Sequence, residues 1–230
     1  MYFLVDNDKK IVFGWSAKCG CSHIKQIYWF LQTDDLENPI HTIKDYNELP
    51  NDIENYTTLI FTRNPYKRII SGFLDKYRKH GEFRHLWKNS FLSFSQFVDK
   101  LINYDWDTID YHHFTPQTTE KFDKKMLLSK NIKFYDIGKI DYEYIEQLYN
   151  KKIPECIVNK KQGHERIFNI NIESYYNKYV YDLHIDDYEH YNIDIKYFYN
   201  EEIREKLFNF YINDFSFFKE NGIDYINSVF

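Results

Sequence analysis

Two stretches of this chain share one grammar: a short apolar run, a loop, then a segment with helical spacing. Lys10-Ile11-Val12-Phe13-Gly14-Trp15 leads into a small-residue loop, Ser16 to Ser22. Apolar residues then recur at Ile24, Ile27, Tyr28 and Leu31, the spacing of one helix face. After a polar stretch holding Pro39 and Pro50, the β-branched, apolar run Thr57 to Thr62 reads as a buried strand. Asn64-Pro65 opens the next helix. The Asn side chain can cap free amides, and proline suits the first helical position because its missing N–H has no partner there. Ile69, Ile70, Phe73 and Tyr77 give that helix an apolar stripe. Strand, loop and helix twice over specify an α/β chain with parallel strands. The expected architecture is a P-loop-like three-layer fold, with a central parallel sheet flanked by helices. Ligands of such sheets bind beyond the carboxyl ends of the strands, so both loops should face one crevice.

The remainder is less regular. Lys133 to Gly138 reads as a third strand, and Glu201 to Phe218 as one amphipathic helix with Ile203, Leu207, Phe210, Tyr211 and Phe215 along one side. Residues 165 to 200 are rich in Tyr, Asn and Ile and carry no assignable pattern. With 230 residues and no repeat or Gly/Ser linker, a single domain over 1–230 is expected. Thirty basic against thirty-five acidic side chains leave a formal charge of −5. There is no basic excess to suit nucleic acid or a membrane surface, so any anion site must be a local cluster. The 22 Tyr and 20 Phe, beside only seven Gly, fit AT-rich coding bias and carry no functional weight. No window approaches 18 uncharged apolar residues. Where a signal peptide needs its apolar stretch stand Asp6, Asp8, Lys9 and Lys10. Cys19, Cys21 and Cys156 are odd in number, and the first two stand too close for a mutual bridge. The expected setting is soluble, reducing and cytoplasmic.

Chemistry concentrates in Ser16-Ala17-Lys18-Cys19-Gly20-Cys21-Ser22, between a strand and a helix, where backbone amides make an anion site. It is not a Walker A loop, which places Lys directly before the hydroxyl residue. Here Lys18 precedes Gly20 and Ser22, so its ammonium can reach a bridging oxygen while the amides of residues 20 to 22 hold a terminal phosphate. No metal is required by that arrangement. Cys19-x-Cys21-x-His23 fits no common zinc spacing, and Cys21 reads better as a small packing residue.

The run from Ala17 to Lys25 resembles the 5′-phosphosulfate loop of the sulfotransferases that use 3′-phosphoadenylyl sulfate (PAPS). Their Golgi carbohydrate branch carries Pro-Lys-x-Gly-Cys-Thr/Ser-x-x-Lys, with Ala17 here in place of the proline. A second block, Phe61 to Phe73, resembles the family's 3′-phosphate block, Arg-Asp/Asn-Pro-x-x-Arg-x-x-Ser-x-(Tyr/Phe). Weaker echoes follow in order: His113-Phe114-Thr115-Pro116-Gln117 for His-Trp-x-Pro-Gln, Tyr135 to Lys139 for Tyr-Asp-x-(Ile/Val)-Gly-(Lys/Arg), and a C-terminal helix ending in an Asp-x-x-x-Phe-like stretch near Asp214 to Phe218. Family cysteines near the histidine block are missing, as Thr118 and Thr119 show, and no membrane anchor is expected.

The resemblance implies PAPS as donor substrate, without metal, and a hydroxyl acceptor, carbohydrate in this branch. It implies donor contacts from Ala17, Lys18, Cys19, Gly20, Cys21, Ser22 and Lys25, and 3′-phosphate contacts from Arg63 and Ser71. Lys161, in the run Lys160-Lys161-Gln162-Gly163, reads as a basic loop over the 3′-phosphate or as a plain surface turn. Lys25, Arg63 and Arg68 have the alternative of being solvated helix charges. Lys18 would stabilise the leaving oxygen and His113 would act as general base, which histidine's ordinary pKa of about 6.5 suits. His112, His23, Glu82, Asp107 and Asp110 stay open as bases. The acceptor pocket is expected from residues 32 to 56 and 80 to 112. Two other readings stand beside this one: a P-loop nucleotide kinase or phosphotransferase, and a catalytically inactive glycan- or protein-binding module on the same fold.

Overall fold

The computed structural model describes residues 1–36, 43, 48–88, 91–118, 124–159, 168–169, 180–188 and 191–226. The chain divides into two compact units. The first is Met1–Arg63 with Gln117–Gly163 and Glu220–Ile223; the second is Asn64–Pro116 with His164–Lys219 and Asp224–Phe230.

The first unit is built on a four-stranded sheet in the order β1 (Tyr2–Asp6), β2 (Ile11–Trp15), β3 (Thr57–Thr62) and β4 (Asn131–Asp136). The three strands β2, β3 and β4 run parallel, in register Trp15↔Phe61 and Thr62↔Asp136. Their carboxyl ends therefore lie at one edge. Every residue of β2 is buried, which is why that run reads as continuous apolar sequence rather than as alternation. Gly14 sits where a side chain would not fit: a Cβ there would come within 2.6 Å of Ile60 Cδ1.

β1 was not anticipated. It pairs antiparallel with β2 through a tight turn, in which the Asp6 carboxylate accepts the N–H groups of Asp8 and Lys9 at 3.0 and 2.9 Å. The charges that argue against a signal peptide are those that form this turn. The third strand also begins two residues earlier than expected, and Ile137-Gly138 falls in the turn beyond it.

Helix α1 (Cys21–Thr33) follows β2 and buries Ile24, Ile27, Phe30 and Leu31. These pack in one core with Phe13, Phe61, Ile145 and Tyr149, where the Phe13 and Phe61 rings stack 5.9 Å apart. Each fully buried Phe, Ile or Leu contributes about 1.5–3 kcal/mol.

The second unit is helical and aromatic. Helix α2 (Pro65–Lys76) starts as expected, the Asn64 side chain accepting the Tyr66 N–H at 3.0 Å. Helix α3 (Phe94–Ile102) opens on a reciprocal capping box between Ser93 and Gln96. Short α4 (Tyr111–Phe114) is capped by Asp110. Phe73, Tyr77, Phe94, Phe97 and Phe114 form a fully buried cluster, with Phe97 edge-on to Phe114 at 4.8 Å. In this unit these five aromatic rings are core.

Two short helices complete the first unit's described part, α5 (Tyr142–Tyr149) and α6 (Glu155–Val158). The single amphipathic helix expected over 201–218 is two helices, α7 (Glu201–Phe210) and α8 (Ile212–Glu220). The break falls at Tyr211, which is buried and whose hydroxyl donates to the Phe114 carbonyl at 2.7 Å. Within 165–200, a two-residue parallel ladder joins Phe168–Asn169 to Tyr191–Asn192, and short 3-10 turns cover Ile185–Asp187 and Ile195–Phe198. No helix among the described residues is long and apolar enough to cross a membrane.

Candidate active site

The loop between β2 and α1 is set by two residues in the left-handed backbone region. Lys18 has φ +67° and Gly20, the N-cap of α1, has φ +79°. The Cys19 N–H closes a turn on the Ser16 carbonyl at 3.1 Å, and the N–H groups of His23 and Ile24 bond the Gly20 carbonyl. Gly20 is required twice over. Its φ is costly for any other residue, and a Cβ would fall 2.3 Å from Ile137 Cδ1 and 2.5 Å from its Cγ1. Lys18 is not glycine, so its left-handed backbone stores strain of about 1–3 kcal/mol. Strain at such a position persists where neighbouring bonds over-determine it.

Those neighbours are one residue at the end of the adjacent strand and one in the turn after α4. Arg63, the first residue beyond β3, donates from Nη1 to the Lys18 carbonyl at 3.1 Å. Gln117 is buried, accepts the Arg63 N–H at 3.1 Å and the Cys19 thiol at 3.0 Å, and donates to the Arg63 carbonyl at 2.8 Å. Cys19 is fully buried in this role. Cys21 packs against the core of the unit, as a small apolar residue would. His23 is buried, with Nε2 2.7 Å from the Tyr142 hydroxyl; burial in turn raises the pKa of that tyrosine. Cys19 and His23 thus face separate partners. Lys25 is not a solvated helix charge: it is buried and its Nζ points to the Ile43 carbonyl at 3.5 Å. The first-turn amides of a 13-residue helix, with Lys18 and Arg63 beside them, make this strand edge a place for an anion.

In the second unit the histidine stretch forms a dyad. His113 Nδ1 is hydrogen-bonded to Asp110 Oδ2, and the same carboxylate oxygen accepts the His113 N–H at 2.8 Å. A carboxylate can only accept, so Nδ1 carries the proton, and in the neutral imidazole Nε2 is the nitrogen with the lone pair. Burial alone would push the Asp110 pKa up; the hydrogen bonds from the His113 ring and backbone, with the charges of His113 and His112, outweigh it and hold the carboxyl below its ordinary value. His112 is exposed. Asp107 is exposed too, and Glu82 is a surface partner of Lys76 at 2.7 Å.

Tyr77 frames the dyad's backbone. Its hydroxyl accepts the Asp110 N–H at 3.1 Å and donates to the Thr108 carbonyl at 3.2 Å. Removing that oxygen in Tyr77→Phe leaves the part-buried Asp110 N–H without this partner and the Thr108 carbonyl with the Trp87 Nε1–H. Calorimetry should show a loss of about 1–3 kcal/mol, roughly 3–10 °C in Tm. An unchanged Tm would show that water takes over both bonds. Arg68 is no surface charge either: it is 1% exposed and donates to the Thr115 carbonyl at 2.7 Å. Ser71 is half-buried on α2.

Residues 1–219 match the family model described as the Sulfotransferase family. The chain belongs to the sulfotransferase family. No curated protein matches it, and no solved structure does. An α/β sheet with parallel strands flanked by helices is the fold expected of a sulfotransferase, and membership carries with it sulfuryl transfer from a sulfate donor to an acceptor.

Of the residues singled out from the sequence, Ala17, Lys18, Cys19, Gly20, Cys21, Ser22 and Lys25 lie on the loop and first turns of one helix, and Arg63 bonds to that loop. Ser71 and His113 belong to the second unit. Lys161 lies outside the described residues. Gln117 was visible only as the last letter of a weak echo, and its partners stand 54 and 98 residues away in sequence. Asp110 was weighed as a base; bonded to Nδ1, it has the geometry of a group that orients one.

Proposed function

We propose that this sulfotransferase moves the sulfuryl group of 3′-phosphoadenylyl sulfate to a hydroxyl acceptor, a carbohydrate. The acceptor oxygen attacks sulfur in line and the bond from sulfur to the bridging oxygen breaks. 3′,5′-Adenosine bisphosphate leaves, and the acceptor proton passes to His113 Nε2. Such transfers depend on positioning and on charge stabilisation at the leaving oxygen. Lys18 supplies that charge, and the amides from Gly20 to Ser22 hold the 5′-phosphate; Lys25, whose Nζ points to the Ile43 carbonyl, is carried forward on the sequence pattern alone. Arg63 and Ser71 hold the 3′-phosphate, a role resting on the sequence block Arg63-Asn64-Pro65…Ser71; Lys161 is carried forward on its basic run alone. The carbohydrate acceptor rests on the likeness to the Golgi branch.

The observation that supports this reading most is the bond from the Arg63 guanidinium to the Lys18 carbonyl. It joins the two sequence blocks that nucleotide binding needs, with the lysine upstream of Gly20 rather than where a kinase requires it. We further propose one catalytic domain, since the family match runs through the sequence of both units. A soluble, reducing, cytoplasmic setting is proposed on the three free thiols.

Thermal denaturation with 3′,5′-adenosine bisphosphate, against ATP with magnesium, tests the donor. The bisphosphate at 100 times its Kd should add about 2.7 kcal/mol, roughly 5–10 °C in Tm. A shift with ATP and magnesium alone would favour a kinase. Binding of the bisphosphate without transfer to any sugar, glycolipid or tyrosine peptide in a labelled-donor screen would favour an inactive binding module.

A further inference from the structure

We propose that Gln117 is a positioning residue of the donor site: its side-chain amide holds the Lys18 loop and the Arg63 strand end in the arrangement that grips the donor phosphates. The inference rests on the donor reading above and adds a residue to it.

Arg63 stands one residue beyond the β3 ladder, where its backbone loses a strand partner. The Gln117 carboxamide replaces one, donating to the Arg63 carbonyl at 2.8 Å and accepting its N–H at 3.1 Å. The accepting oxygen also takes the thiol of Cys19, the residue after Lys18, at 3.0 Å. The Arg63 guanidinium closes the circuit on the Lys18 carbonyl at 3.1 Å. Gln117, Cys19, Lys18 and Arg63 thus form a ring of hydrogen bonds around the left-handed Lys18 backbone. Gln117 is 4% exposed, so water does not readily substitute for it.

The circuit demands one acceptor oxygen with two lone pairs and one donor on the same short fork. A glutamine meets this, and so does a protonated glutamate, whose O–H can donate to the Arg63 carbonyl. An ionised glutamate cannot donate, and it places a negative charge beside an anion site.

The test is isothermal titration with 3′,5′-adenosine bisphosphate of the wild type, Q117M and Q117E at about pH 5.5 and about pH 8, bracketing a buried carboxyl's titration. Each protein is held at a temperature where circular dichroism shows it folded. The titratable residues bonded to Gln117 are Arg63 and Cys19, and Lys18 precedes Cys19 in the loop. Their titration and that of the phosphates are removed by taking each variant's Kd relative to wild type at the same pH. Q117M should bind roughly tenfold or more weakly at both pH values, as expected for lost buried hydrogen bonds. Q117E should be as weak at the higher pH and recover to within a few-fold of wild type at the lower one. Being isosteric with glutamine, Q117E carries the test alone should Q117M not fold. Variants that lose Tm yet keep the wild-type Kd at both pH values would overturn the inference and leave the donor reading intact. A wild type that does not bind the bisphosphate overturns the donor reading, and the inference falls with it.

Discussion

Replacing Lys18 with alanine is expected to lower kcat for sulfate transfer by about 10²–10³, or roughly 3–4 kcal/mol of transition-state stabilisation. The reasoning is differential. Charge on the bridging oxygen is small in the bound donor and grows as the bond to sulfur breaks, so an ammonium placed over that oxygen acts mainly in the transition state. The Kd for 3′,5′-adenosine bisphosphate should therefore rise less than kcat falls. Because Lys18 has φ +67°, its backbone is itself under strain, and a second variant separates the two contributions. Lys18→Gly relieves the strain and removes the charge, and should be as slow as Lys18→Ala. Steady-state transfer to the acceptor found in the labelled-donor screen measures both. Activity of either variant within tenfold of wild type would remove Lys18 from its role.

The second large effect is expected at the dyad. His113→Gln should lower kcat by about 10²–10⁴, the usual worth of general acid–base catalysis, and should abolish the acidic limb of the kcat–pH profile. An unchanged acidic limb would eliminate the assignment. Asp110→Asn should keep the fold of α4 but move that limb to lower pH, because an uncharged partner stabilises the imidazolium less and makes Nε2 a weaker base. The sign follows from the carboxyl's depressed pKa. Asp110 is ionised throughout the working range, so the stability it adds is present above the ordinary carboxylate pKa and is lost only as pH falls through its lowered value. Acid unfolding midpoints of wild type and D110N, compared across that window, check the same link without an acceptor.

How much of this was legible beforehand varies with distance along the chain. Helix α2 and its Asn64 cap were plain, since every participant lies within a few residues of the next. The early strands β2 and β3 were equally plain, being apolar on both faces. β1 was hidden because the charges at its end speak in sequence only against a signal peptide; pairing with β2 shows them to form a turn, with Asp6 binding two turn amides. The break at Tyr211 was hidden for a different reason. Apolar spacing runs through it without interruption, and the contact that marks it is a hydroxyl bond to Phe114, 97 residues away in sequence. For Lys25 and Arg68 the sequence leaves the solvated alternative open, and it closes only when a distant carbonyl, Ile43 or Thr115, is found to receive each charge.

The amino-acid order alone determined the alternation of strands and helices, the Asn64 cap and the upstream lysine that separates this loop from a kinase loop. Those depend on backbone preference and on neighbours a turn or two apart. Folding in three dimensions decided which groups brace the loop, Arg63 on the Lys18 carbonyl and Gln117 on Arg63 and Cys19, and, separately in the second unit, that Asp110 holds the His113 ring. Except for the dyad, those bonds join residues 45 or more positions apart. A buried polar group can take any partner of matching donor and acceptor count, and only the register of the parallel strands selects which one arrives.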